Sequence, residues 1–295
     1  MQSSEPDRFR SIDLYLDLLQ KTLLFELWDE PWVPVRRHPA FLHGLKGRLL
    51  RAVDAGLRRL RLGFVYDRRL TDRNRREGTF WPVHAHTMTG RLRLDQLREA
   101  TETVLREAIP GDFIEAGVWR GGSCLLMRGI LKAWGVTDRR VFVADSFAGL
   151  PPPDAQRYPQ DRGDVLHRFP ALAIPEEQVR ENFHRYGLLD DQVVFLKGFF
   201  EETLPTAPVA NLAILRLDGD MYGSTMVTLE NLYPKLSPGG YCIVDDYALR
   251  TCQQAVDDYR SRHRINEPLL RADWTGVYWR KSRTVPNRDV PQEGA

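Results

Sequence analysis

From about residue 110 onward the chain alternates between two hydrophobic patterns. Short, continuously apolar runs ("GDFIEAGV", "RRVFVADSF", "DQVVFLKGFF", "LAILRLDGD", "GGYCIVDDYA", "GVYWRKS") are separated by longer stretches with helical spacing ("GGSCLLMRGILKAWG", "EEQVRENFHRYGL", "STMVTLENLYPKL", "CQQAVDDYRSRH"). A strand that is apolar at every position is buried on both faces, and helices between such strands supply the cover. The pattern therefore predicts an α/β fold with a mostly parallel sheet. Glycines in "YGLLDD" and before "YCIVDD" fall where helix ends and turns need them.

Residues 1–90 read differently. "SIDLYLDLLQKTLLFELW" has helical periodicity, with Ser11 placed to cap it. "FLHGLKGRLLRAVDAGLRRLRLGF" interleaves leucines with basic residues and predicts an amphipathic basic helix or helix pair. Between residues 36 and 76 there are 13 Arg and Lys, three Asp and no Glu. Such a face packs on its own domain or on a second subunit. The alternatives are a membrane surface or an anionic substrate. A leucine stripe is poorly tolerated in water, so a homodimer, or a dimer of dimers, is expected, with residues 1–80 at the interface and along part of the substrate wall. The polar, Pro-containing end, residues 283–295, is expected to be disordered.

Composition narrows the class. A chain of 295 residues, 42% hydrophobic and 28% charged with net charge +2, is that of a soluble globular protein and carries no global nucleic-acid signal. Cys124, Cys242 and Cys252 lack CxxC spacing, which excludes a disulfide framework or a zinc site. The opening "MQSSEPDRFRSIDLYLDLL" puts charges where a signal peptide needs an apolar core, and no apolar run is long enough to span a membrane. A cytoplasmic protein is expected.

Chemistry enters at the strand ends. "FIEAGVWRGGSCLLM" is a strand, then a glycine-rich turn, then a helix. Glycines there let a ligand approach the backbone, and the helix start offers free N–H groups. The spacing E-x-G-x-x-x-G-G is not the dinucleotide fingerprint G-x-G-x-x-G. Glu115 before Gly117 suits a cationic group such as an amino-acid ammonium, and Asp145 at the next strand tip is placed for ribose hydroxyls. Together they describe a pocket for S-adenosylmethionine. Phe199 and Phe200 fall where an adenine would lie. Asp218 and the pair Asp245 and Asp246 end two neighbouring strands. Three carboxylates converging on one sheet edge repel unless a cation sits among them, or unless some cap helices or pair with Arg216 or Arg250. All-oxygen ligation points to Mg²⁺, with Ca²⁺ or Mn²⁺ as alternatives.

These residues resemble a known family. "IEAGVWRGGSC", "VADSFAGLP", "FHRYGLLDDQVVFL", "LRLDGDMYGSTM", "LSPGGYCIVDDYA" and "TGVYWRKS" are similar, in order, to the macrocin O-methyltransferase (TylF-type) family of metal-dependent sugar O-methyltransferases in antibiotic biosynthesis. The resemblance implies a Rossmann-like class I methyltransferase fold with a seven-stranded sheet over residues 86–282, preceded by a helical N-terminal extension, 1–85, for oligomerisation or as a lid. It assigns metal binding to Asp218, Asp245 and Asp246 and the general base to Asp220. It builds the cofactor pocket from Glu115, Ala116, Gly117, Val118, Trp119, Ser123, Asp145 and Ser146, with Thr87 and Met88. The acceptor would be a glycosylated or nucleotide-linked sugar.

The chemistry is coherent on its own terms. A sugar hydroxyl is a poor nucleophile at neutral pH, and a divalent ion holding vicinal hydroxyls acidifies and aligns them. A neighbouring carboxylate then takes the proton. His86 and His167 are rival bases, the latter in the Pro-rich stretch "DRGDVLHRFPALAIPEE", which reads as a substrate-facing lid. A catechol, other phenol or polyketide hydroxyl as acceptor, or a non-catalytic binding module that keeps the pocket, are the competing functions.

Overall fold

The apolar runs become one sheet because each strand must bury alternate side chains against two helical layers. The computed structural model describes residues 5–29, 32–34, 44–66 and 70–283. In chain order the elements begin with α1 (Glu5–Leu23), β1 (Val33–Pro34), α2 (Gly44–Arg58), β2 (Val65–Tyr66), α3 (Asp72–Glu77) and α4 (Arg91–Arg106). There follow β3 (Asp112–Ala116), α5 (Gly122–Trp134), β4 (Val141–Asp145), α6 (Glu176–Arg185), β5 (Val193–Lys197) and α7 (Phe200–Thr203). The chain then runs through β6 (Leu212–Leu217), α8 (Tyr222–Leu232), β7 (Leu236–Val244), α9 (Arg250–Arg262), β8 (Leu270–Arg271) and β9 (Val277–Arg280).

The seven-stranded sheet has the order β5-β4-β3-β6-β7-β9-β8. β3 to β7 are parallel, and β9 pairs antiparallel with both β7 and β8. The order reverses between β3 and β6, so the carboxyl ends of these strands open a crevice at the switch point, where α/β sheets bind ligands. Side chains of period two divide between the layers. Phe113, Val141 and Val143 join the core under α1, α4, α5 and α6, whereas Ile114, Phe142 and Ala144 join the core under α8 and α9.

The N-terminal helix is part of this core. Leu16, Leu19 and Leu23 are buried in the same cluster as Leu125, Met127 and Ile130 of α5. The two helices approach closely because Gly129 of α5 has no side chain, and a Cβ there would meet the Leu19 Cδ2 methyl. The helix also begins at Glu5, upstream of the expected cap at Ser11. Pro6 lies in its first turn, where a missing N–H leaves nothing unpaired, and Ser11 is an exposed residue inside the helix. The basic segment forms α2 only to Arg58; a turn follows, with Arg61 at φ 58°. Residues 35–43, 67–69 and 284–295, which hold part of the basic segment and nearly all of the expected disordered tail, lie outside the described residues. Among the described residues no helix is long and apolar enough to cross a membrane.

If α1 is a core element, Leu19→Ala should lower the unfolding free energy of the whole domain by about 2–4 kcal/mol, the usual loss for a buried leucine. Denaturant unfolding followed by tryptophan fluorescence would show it as one cooperative transition at lower denaturant. An unchanged midpoint would mean that α1 is an appendage.

Candidate active site

The sheet edge is organised by a buried cation. Arg216, in β6, is 2% exposed, and its register partner in β3 is Glu115. Its guanidinium bonds Glu115, Asp218 at 2.8 Å and Asp245. Arg93, from α4, bonds the other oxygen of Asp245 and also Asp273 at 2.8 Å. Burial alone would lower the pKa of both guanidiniums, but Asp245, with Glu115 and Asp218 for Arg216 and Asp273 for Arg93, holds them above the ordinary value. The carboxylates still outnumber the cations. Burial pushes Glu115 up to about 7 and raises Asp218, with Asp245 adding to the latter.

Asp218, Asp245 and Asp246 each present a carboxylate oxygen within 4.8 Å of the others. Asp246 is held well above the usual carboxylate range, first by burial and then by Asp220, Asp218 and Asp245. The one hydrogen bond described for its carboxylate comes from the Asp220 backbone N–H, at 3.1 Å. This all-oxygen, negatively biased set fits a hard divalent cation.

Asp220 follows in a strained turn, with φ 58°. Its backbone is held by Asp246 and by the Thr251 hydroxyl, which donates to the Asp220 carbonyl at 3.2 Å. Its carboxylate has no described donor, and burial, then Asp218, Asp245 and Asp164, push its pKa up to about 7. A carboxylate with no fixed partner beside a cation-ready cluster can accept a proton.

The glycine-rich turn supplies the other half of the crevice. Gly117 has φ +90°, and a Cβ there would overlap the Asp218 carbonyl, so only glycine lets the ends of β3 and β6 meet. Asp145 organises this turn. Its Oδ2 accepts from the backbone N–H of Val118 at 2.8 Å and of Trp119 at 3.4 Å, and its Oδ1 from that of Phe147 at 2.7 Å. Glu115, expected to face a ligand ammonium, has both oxygens engaged within the protein, one by Arg216 and the other by the Cys124 thiol at 3.0 Å.

One cleft, of about 1490 Å³ with its solvent-open mouth, gathers nearly every residue singled out from the sequence. Thr87, Met88, Glu115, Gly117, Val118, Trp119, Ser123, Asp145, Ser146, Phe199 and Phe200 line it, as do Asp218, Asp220, Asp245 and Asp246. Ala116 does not. Its side chain is buried in the sheet, and its carbonyl accepts from the Asp218 N–H at 2.8 Å. His86 stands behind the cleft, edge-on to Tyr186 at 5.3 Å, and burial pushes it down to about 4. His167 is not among the lining residues, though its neighbour Leu166 is. Sequence reasoning missed Arg93, Phe80, Trp81 and Trp274, which also line the cleft. Arg93 belongs to a helix with the usual Arg-rich exterior, and the aromatics sit in loops without periodicity, so no local signal marked them.

Residues 12–281 match the family described as macrocin-O-methyltransferase (TylF). A relative from Streptomyces olivaceus, named 8-demethyl-8-(2,3-dimethoxy-alpha-L-rhamnosyl)-tetracenomycin-C 4'-O-methyltransferase, is 55% identical over 269 residues, which is 91% of this chain and 92% of the relative. Mycinamicin III 3''-O-methyltransferase from Micromonospora griseorubida is 48% identical over 274 residues, 92% of this chain and 97% of the relative. The solved structure of the O-methyltransferase NovP superposes with a TM-score of 0.79 at 45% identity, covering 92% of this chain and 100% of that one.

Proposed function

The chain belongs to the macrocin-O-methyltransferase (TylF) family and is an S-adenosylmethionine-dependent O-methyltransferase, and from that premise we propose that it methylates a sugar hydroxyl of a finished antibiotic-type glycoside with Asp220 as the base. The observation that carries this reading is the Asp220 carboxylate, without a hydrogen-bond donor among the described residues, lining the cleft with Asp218, Asp245 and Asp246. The named relatives act on a rhamnosylated tetracenomycin and on mycinamicin III.

The lining supports a glycoside over a nucleotide-sugar. Arg93 is the one cationic side chain among the described lining residues, and it is committed to Asp245 and Asp273. A diphosphate would meet Glu201 and the aspartates with no uncommitted cationic side chain among the described lining residues to receive it. Phe80, Trp81, Trp274, Leu166 and Leu249 offer apolar surface to an aglycone and to the C–H faces of a sugar.

Asp218, Asp245 and Asp246 would hold a divalent cation, Mg²⁺ by ligand chemistry, and the turn from Glu115 to Trp119 with Ser123, Asp145 and Ser146 would hold S-adenosylmethionine. When bound, the cation would supply Lewis acidity that makes the acceptor hydroxyl easier to deprotonate, and S-adenosylmethionine the methyl group. Asp220 takes the hydroxyl proton, and its turn holds that carboxylate beside the aspartate cluster. The aromatic wall and the segment over the mouth exclude water and orient the acceptor. Arg216 keeps the aspartate oxygens turned toward the cleft.

The exposed apolar residues of the N-terminal region support a homodimer. Leu14, Leu18, Leu49 and Leu60 are each more than half exposed, and a closed two-fold contact would cover such a stripe.

Assays against glycosylated tetracenomycins, macrolides, nucleotide-sugars and catechols should give turnover with a glycoside. Chelator should abolish methyl transfer and added Mg²⁺ restore it, while calorimetry finds S-adenosylmethionine still bound; full activity in chelator would overturn the cation reading. Asp220→Asn should lower kcat about 10²–10⁴-fold, the span for loss of a general base, with little effect on Mg²⁺ affinity. Normal turnover by this variant would remove Asp220 from the chemistry. Light scattering of the full chain at micromolar concentration should report twice the 34.1 kDa monomer mass, and a stable monomer would refute the dimer.

A further inference from the structure

We propose that Asp161 is a positioning residue for the transfer: from the segment whose Leu166 and Leu172 line the cleft it caps α8 and so fixes the turn that aims Asp220. The proposal rests on Asp220 being the base.

The residue at the N-cap of α8 is Met221, which offers no side-chain cap. Helix starts leave backbone N–H groups without partners, and Ser, Thr, Asp or Asn at this position ordinarily accepts them. Here the acceptor arrives from 61 residues upstream. Asp161 Oδ1 accepts from the Tyr222 N–H at 2.7 Å and Oδ2 from the Gly223 N–H at 2.9 Å. The carboxylate is 1% exposed, and the positive end of the helix dipole favours its charge. Tyr158, three residues before it, packs on Gly223 so closely that a Cβ there would lie 2.6 Å from the tyrosine ring.

This cap ends two residues from Asp220, which sits at φ 58°. A non-glycine residue in the left-handed region persists only when its surroundings hold it there. Three holds converge on that turn. Asp246 accepts the Asp220 N–H, Thr251 donates to the Asp220 carbonyl, and Asp161 pins the two amides that follow Met221. A local Ser or Asp at position 221 would cap the helix equally well. Delivering the cap from the mouth segment does something a local cap cannot: it couples the turn to the roof, whose Leu166 and Leu172 line the cleft. The far end of that roof is tied to the cofactor turn, where the Trp119 Nε1–H donates to the Ala171 carbonyl at 2.8 Å. The roof therefore spans from the cofactor side to the base, and its seating sets Asp220.

The test uses the full chain, with the rhamnosylated tetracenomycin named for the 55%-identical relative as acceptor probe. Asp161→Ala should expose the Tyr222 and Gly223 amides to hydrogen exchange and lower kcat about 10- to 100-fold, the loss expected when a reacting group is misplaced. S-adenosylmethionine affinity by calorimetry should stay within about twofold, since Asp161 itself bonds only the Tyr222 and Gly223 amides and no residue of the glycine-rich turn. Asp161→Asn, which keeps one acceptor oxygen and nearly the same shape, should give an intermediate loss; it carries the test if the alanine variant does not fold. The decisive readout is coupling. In an Asp220→Asn background, Asp161→Ala should cost almost no further activity, because it acts through that base. A full, additive loss in the double variant would overturn the proposal, as would faster amide exchange with unchanged kcat, or no change in exchange. An active Asp220→Asn single variant would instead defeat the base assignment, and so separates the two failures.

Discussion

The burial of Arg216 is the constraint on which the rest of the site depends. A guanidinium at 2% exposure inside a sheet would be ruinous without compensating charge, because desolvation of an unpaired ion is worth several kcal/mol. Its partners come from three adjacent strand ends: Glu115 on β3, Asp218 after β6 and Asp245 after β7. The cation thus ties the ends of the three central strands together and turns their carboxylates toward one point. Removing either side of this arrangement would leave buried charge of one sign.

The balance of that network is deliberately incomplete. Arg93 and Arg216 face Glu115, Asp218, Asp220, Asp245, Asp246 and Asp273, so negative charge is left over. Burial and mutual repulsion raise the pKa values of Asp218 and Asp246, and push Asp220 and Glu115 up to about 7. Two ligand classes would relieve such a field, a divalent cation among the aspartates and a sulfonium-bearing cofactor beside them. A dianionic diphosphate would find no uncommitted cationic side chain among the described lining residues.

Backbone geometry contributes as much as charge. Gly117 at φ +90° lets β3 meet β6, and Asp220 at φ 58° turns its side chain out of the strand direction. Asp145 holds the first of these turns through the backbone N–H groups of Val118 and Trp119. The second is held from α9, from the strand end at Asp246 and from the roof. Each half of the crevice is a strained turn pinned by a carboxylate, which is how strain is retained at a working site.

Much of this was legible in the chain itself. Strand and helix periods determine the α/β class and the parallel core, because solvent exclusion on both faces of a sheet requires apolar runs and amphipathic covers. Strand-end position collected Glu115, Asp145, Asp218, Asp245 and Asp246, since parallel strands deliver their carboxyl ends to one edge, and Asp220 came with the family resemblance. What only tertiary structure decided is who partners whom. Arg216 was visible as a neighbour of Asp218, but its grip on Glu115 and Asp245 needs the register of three strands. Arg93 lies 152 residues from Asp245 and Asp161 61 residues from Tyr222; α1 enters the core only where Gly129 leaves room for Leu19. Local pattern encodes which face of an element is buried, whereas the pairing of specific charges and the docking of one helix on another depend on contacts between distant segments, which no local period can record.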